Sequence, residues 1–189
     1  MRRGIEDRTI LDEFAEEFCR VVENLGIKYI VCSGFIAIAS GRSRATEDID
    51  MIVEKLSKEK FIELHKNLTE KNFECMQSSD AEEVYETYLA NGDSVRYTWK
   101  NKFLPEMEIK FVKDKLDEEQ LETRQKIPFT KLDIYFSDIN SNIAFKEELL
   151  GAEKDLEDAK HLRIIYSESV NETKINEIKN KIKKFRYNK

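Results

Sequence analysis

The sequence predicts an α/β or α+β fold with a helical C-terminal part. Three observations carry that expectation. Apolar residues near the start recur at steps of three and four, short β-branched runs alternate with such helical stretches, and from Asp138 onward the pattern is helical throughout. At 189 residues the chain has room for one domain with a sizeable core. The expected division is an α/β core over residues 1–137 and a C-terminal helical region over residues 138–189.

The elements follow in order. Residues 5–25 carry Leu11, Phe14, Phe18, Val21 and Leu25 on one helical face, and Gly26 suits the left-handed position that ends a helix. Lys28 to Ser33 reads as a short buried strand, and a helix follows from Gly34 to about Ser40. Asp48 to Val53 alternates into a second strand. Residues 57–70 form a helix opened by Ser57, with Phe61, Leu64 and Leu68 on one face.

Asn72 to Met76 is a short strand. The next helix, with Val84, Tyr88 and Leu89, stops at Asn91-Gly92. Ser94–Lys100 and Met107–Val112 make a pair of strands joined by a turn containing Pro105, the pattern of a hairpin. Leu116–Lys126 reads as a polar helix and Leu132–Phe136 as a last strand. Three apolar sets then mark the helical end: Ile139 and Ile143; Leu156, Ala159 and Leu162; Ile175, Ile178, Ile182 and Phe185.

Composition narrows the function. A hydrophobic fraction of 40% beside 37% charged residues describes a water-soluble globular chain. No apolar run approaches the roughly 20 residues of a membrane span, and Met1 to Asp12 is too charged for a secretory signal, so a cytoplasmic location without membrane partners is expected. Cys19, Cys32 and Cys75 are widely spaced within apolar patterns and read as reduced core residues. His65 and His161 have no partner at metal-ligand spacing and read as structural. The net charge of −6 hides an asymmetry, because residues 174–189 hold seven Lys/Arg against one Glu. With Phe185 and Tyr187 among its charges this tail has the composition of a nucleic-acid contact; a solvated helix face has the same composition.

The chemistry concentrates between Ile30 and Val53. A strand that ends in Ser33-Gly34 and passes straight into a helix leaves unpaired backbone N–H groups where phosphate binds well, and glycine permits close approach. Fourteen residues beyond Gly34, Asp48 and Asp50 are separated by one residue on a strand, so both side chains leave the same face. Two adjacent carboxylates repel unless a cation neutralises them, and Mg²⁺ or Mn²⁺ does so while sharing its remaining positions with phosphate oxygens. Phosphoryl chemistry with two metals needs a further carboxylate. Glu108, in the alternating run Glu106 to Val112, is the first choice and Asp133 its rival.

Gly34, Gly41, Arg44, Thr46, Asp48 and Asp50, spaced as they are, resemble the Gly-x-x-Arg-x-Thr-x-Asp-Ile-Asp signature of the nucleotidyltransferase superfamily. The resemblance is closest to the branch of AbiEii and MenA-type toxins and related minimal nucleotidyltransferases. It implies a mixed sheet flanked by helices, with Ser33 and Gly34 on the phosphates of an NTP such as ATP. It also implies Asp48 and Asp50 as ligands of Mg²⁺ (or Mn²⁺), and Arg44 and Thr46 in a loop bordering the site. More faintly, Ala144-Phe-Lys-Glu147 and Lys154 to Leu162 are similar to a helical stretch of that branch, in which Lys146 would reach the triphosphate and Asp158 would orient it or a neighbouring basic side chain.

The two stretches cover about a third of the chain. Two departures stand out: Ser-Gly replaces the usual Gly-Gly or Gly-Ser, and the third carboxylate is a Glu followed two residues later by Lys110. The implied function is transfer of an NMP group to an acceptor hydroxyl, on an RNA or tRNA 3′ end, a protein or a small molecule. The alternative is a non-catalytic nucleotide- or partner-binding member of the fold, such as one component of a toxin–antitoxin pair with an antitoxin partner.

Overall fold

A computed structural model of the chain describes residues 8–43, 46 and 48–187. Helix α1 spans Ile10–Asn24. It begins at Thr9 because Thr9 and Asp12 form a reciprocal capping box, each side chain accepting from the other's backbone N–H. The expected start at residue 5 lies outside the described residues. The helix ends at Leu25, where Gly26 takes the left-handed conformation with φ 70°.

Strand β1 (Tyr29–Cys32) leads through Ser33 into α2 (Gly34–Ala39), and β2 (Asp48–Val53) follows. Helix α3 (Lys58–Glu70) opens at Ser57, whose hydroxyl accepts from the Lys60 N–H as its sequence position predicts. Next come β3 (Phe73–Cys75), α4 (Ala81–Thr87), β4 (Val95–Trp99) and β5 (Glu106–Phe111). β4 and β5 pair antiparallel, the expected hairpin.

The following stretch departs from expectation. Helix α5 (Lys115–Glu122) stops short of the expected Lys126, and Gln125–Lys126 instead forms an edge strand, β6, against β7 (Tyr135–Phe136). The last expected strand is also shorter at its start, because the Asp133 N–H donates to the Glu16 carboxylate and so leaves the ladder. The helical end comprises α6 (Ile139–Phe145), α7 (Glu153–Ile165) and α8 (Glu172–Ile182), with wide helical turns at Lys146–Leu150 and Lys183–Tyr187.

Among the described residues the seven strands form one mixed sheet in the order β3-β4-β5-β2-β1-β7-β6. The central pair, β2 and β5, is parallel and flanked by antiparallel neighbours. Alternation decides its two faces. Ile49, Met51, Val53, Met107 and Ile109 are buried in the main core with Phe14 and Phe18 of α1 and Phe61 of α3. The opposite face carries Asp48, Asp50, Glu106 and Glu108 near one end of the strands, and Ile30 and Ile52 under Leu121 of α5 farther in. Ile139, Ile143, Leu162, Ile175 and Ile182 of the C-terminal helices join the same core as α1 and the sheet. No helix among the described residues is long and apolar enough to cross a membrane.

Candidate active site

The site face is set by strand register. Cys32 stands opposite Asp50, Asp50 opposite Glu108, and Glu108 opposite Arg96, so four neighbouring strands place one row of side chains on one face. Asp48 stands beside Glu106 one step nearer the strand ends, and Ile52 beside Lys110 one step farther in. The sequence supplied two carboxylates of this face from their spacing, and the parallel pairing of β2 with β5 brings the other two alongside.

The charges in the row are not equally committed. Arg96 donates to the Glu108 carboxylate from both Nε (3.2 Å) and Nη2 (2.9 Å), and its Nε lies 3.4 Å from Glu106. The hydrogen bond to Glu108 holds the Arg96 guanidinium above its ordinary value. By contrast, neither the Asp48 nor the Asp50 side chain has a hydrogen bond or ion pair among the described residues. Asp133, the rival for the third carboxylate, is 83% exposed and pairs with Lys126 at 2.8 Å. It shares a surface hollow with Glu16, Arg20 and Glu23 of α1, away from the row.

The donor set fits a hard divalent cation. Two like-charged carboxylates on one strand face with no ion-paired cation among the described residues invite one from solution. Among the described residues no three His, Cys, Asp or Glu side chains gather closely enough to hold a metal unaided. Mg²⁺ ordinarily uses one or two carboxylates and completes its shell with water and substrate phosphate, so an Asp pair suffices.

A cavity of about 290 Å³ adjoins Asp50. Cys32 and Ser33 line it from the sheet, Lys110 and Lys113 from the end of β5 and beyond, Gln120 from α5, and Phe145 and Lys146 from the helical end. Ser33 sits at φ 64° and turns the chain into α2, whose Gly34 is buried. This strained turn marks a position under local demand. Burial, with the nearby Asp50 charge adding to it, pushes the Cys32 thiol up to about 12, so it stays protonated at neutral pH.

The second predicted stretch also meets this cavity. Lys146 is only 1% exposed, and its Nζ lies 2.8 Å from Asp158 and 3.8 Å from Asp155. Arg42 closes on Asp158 from the other side, pairs with Glu157, and donates to the Lys154 carbonyl at 2.9 Å. Asp158 therefore contacts both a lysine and a neighbouring arginine. Arg163 is engaged by Glu147 through two bonds of 2.9 and 3.0 Å, not by Asp155 or Asp158.

Thr46 hydroxyl donates to the Asp48 carbonyl at 3.2 Å and so helps fix the entry to β2. Arg44 lies outside the described residues. His65 is buried against the Tyr97 hydroxyl at 2.8 Å, and His161 contacts the Ser40 carbonyl at 3.0 Å, both in structural settings. In the basic tail, Lys174, Lys179, Lys181, Lys183 and Arg186 pair with Asp138, Glu147, Glu119, Glu148 and Asp114. Its charge is spent largely on holding the last helix to the protein.

Sequence reasoning missed Arg96, Arg42 and Gln120. Arg96 was legible once the hairpin register was fixed, since it falls opposite Glu108. Nothing local distinguishes Arg42 or Gln120, whose settings depend on α7 and α5.

No protein-family model matches the sequence, and no curated protein matches it. Solved structures do. The solution structure of the antibiotic-resistance factor ANT(2'')-Ia matches with a TM-score of 0.58 at 10% identity, over 94% of this chain and 93% of that one. An antigenic nucleotidyltransferase-like protein from Paracoccidioides brasiliensis matches at 0.51 and 13% identity, over 92% and 90% of the two chains. JHP933 from Helicobacter pylori matches at 0.51 and 13% identity, over 89% of this chain and 72% of its own. At these identities the shared property is the fold, which is nucleotidyltransferase-like.

Proposed function

We propose that this chain is a metal-dependent nucleotidyltransferase that moves an NMP group from an NTP to an acceptor hydroxyl, of the minimal type that the AbiEii and MenA-type branch represents. The observation that carries the reading is the Asp48/Asp50 couple, unpaired among the described residues and set in register beside Glu106 and Glu108, next to a cavity lined by Ser33 and Lys146.

Asp48 and Asp50 would hold Mg²⁺ or Mn²⁺, which supplies charge neutralisation to the triphosphate and acidity to the acceptor hydroxyl. Ser33 and the backbone at Gly34 take phosphate oxygens, and Lys146, aimed by Asp158, adds a fixed positive charge. Glu108, oriented by Arg96, accepts the acceptor's proton. The acceptor oxygen bonds to the α-phosphorus as the bond to the β-phosphate oxygen breaks, and pyrophosphate leaves. Catalysis of this kind is positioning and charge placement, which suits a chain whose site is built on sheet register.

One observation favours a second reading. Glu108 is already committed to Arg96, so a protein that binds nucleotide without transferring it, or that serves as a partner-binding half of a toxin–antitoxin pair, has the same resting geometry. Incubation with each labelled NTP, Mg²⁺ and either total RNA or total protein separates the two. Transfer predicts metal-dependent label in one pool that Asp48→Ala/Asp50→Ala abolishes. No label with any nucleotide in either pool overturns the enzymatic reading.

A further inference from the structure

Resting on that reading, one side chain in the cavity calls for a ligand of its own. Gln120 projects from α5, is only 6% exposed, and makes no side-chain hydrogen bond among the described residues. The residue lines the cavity, so its amide carbonyl and NH₂ are available to a polar group bound there. The polar neighbours of Gln120 do not share its condition. Asp117 accepts from Arg186 at 2.9 Å and from the Lys113 N–H at 3.0 Å, and Asn142 donates to the Ser137 carbonyl at 2.9 Å.

What surrounds the amide narrows the ligand. Ile52, Phe145, Leu149 and Leu150 give the same cavity apolar walls. A ligand group that suits both must be flat and apolar on its faces while offering a donor and an acceptor side by side on its edge. A nucleobase has this character, and a glutamine amide meets such an edge with two bonds. Phosphate does not, since it offers acceptors alone and gains nothing from apolar walls. Lys110, Lys113 and Lys146 line the same cavity and offer the charge that phosphate requires.

We propose that Gln120 is the specificity-determining residue for the nucleotide, reading the edge of its base while Ser33, Gly34 and Lys146 serve the triphosphate. The amide can present its carbonyl and NH₂ in either order, so discrimination comes from whichever order the bound base selects.

The test measures binding of α,β-methylene analogues of all four NTPs, and of inorganic tripolyphosphate, to the full chain in Mg²⁺. Wild type, Gln120→Met and Gln120→Glu are compared, with thermal melting as the folding check. Expected is a preference among the four in the wild type that Gln120→Met shrinks by about ten- to a hundredfold, the worth of one bidentate base contact, with tripolyphosphate affinity unchanged. Gln120→Glu, which replaces the donor by an acceptor, should change the ranking. An unchanged ranking in both variants overturns the proposal, as does an equal loss for every NTP and tripolyphosphate alike. If Gln120→Met does not fold, the Gln120→Glu ranking decides. A wild type that binds none of the four analogues overturns the nucleotidyltransferase reading itself, a result distinct from a ranking that ignores Gln120.

Discussion

Two charged clusters border the cavity, and they are built in opposite ways. On the helical side, Lys146, Asp155, Asp158 and Arg42 are buried or half-buried and paired with one another. On the sheet side, Asp48 and Asp50 stand on one strand face with no side-chain partner among the described residues. The first arrangement satisfies its charges within the fold, so its members are positioned before anything binds. The second leaves like charges together, which disfavours the empty state and rewards a cation. Paired and unpaired charges are thus separated across one cavity, and each side fails differently when altered.

The largest effect should follow from breaking the helical cluster. Asp158→Ala takes the 2.8 Å carboxylate partner from the buried Lys146 and leaves Asp155 at 3.8 Å. Removing one partner of a buried pair costs about 3–5 kcal/mol, which for a chain of this size lowers Tm by about 10 °C. Replacing both members, as Lys146→Met/Asp158→Leu, should recover part of the loss, because the buried ammonium is gone and Arg42 keeps Glu157, while Asp155 loses its lysine. Urea unfolding followed by circular dichroism measures both. If Asp158→Ala melts within a degree of the wild type, the cluster is not the internally compensated unit described above.

A smaller effect tests the sheet side. Mg²⁺ at tenfold above its dissociation constant should stabilise the wild type by about 1.4 kcal/mol. Asp48→Asn/Asp50→Asn should fold at least as stably as the wild type in the absence of metal, since repulsion is removed, and should show no Mg²⁺-dependent gain. Differential scanning calorimetry with and without Mg²⁺ reads both quantities. A gain that persists in the double variant places the cation elsewhere and breaks the contrast.

This contrast also explains what the sequence could show. The Asp48/Asp50 couple was legible because strand alternation alone puts residues two apart on one face. Ser57 and Gly26 announced their helix ends for equally local reasons. The sequence put Glu108 ahead of Asp133 from its apolar flanks, but its place beside Asp50 depends on the parallel pairing of β2 with β5, a contact between segments about sixty residues apart that no local pattern encodes. The α5 boundary was misplaced because Gln125–Lys126 becomes a strand only by pairing with β7. The basic tail was legible as composition, yet its ion pairs among the described residues reach carboxylates on α5, α6 and the turns around them, and so appear only in three dimensions.

The smallest effect concerns the outer part of the helical network, where Glu147 receives Arg163 and Lys179. Burial alone would push this carboxyl up, but the hydrogen bonds from Arg163 and Lys179 outweigh it and hold it below the ordinary 4.5. A carboxyl depressed in the folded state contributes stability that is fully present above its unfolded pKa and is lost as pH falls through its folded value. The contribution of Glu147 is therefore complete above about pH 4.5 and fades below it. Glu147→Gln should lower stability at neutral pH and converge on the wild type in acid, so that the gap between their urea midpoints closes as pH drops. A gap that stays constant from pH 7 to pH 3 would mean that Glu147 holds α8 by packing and not by charge.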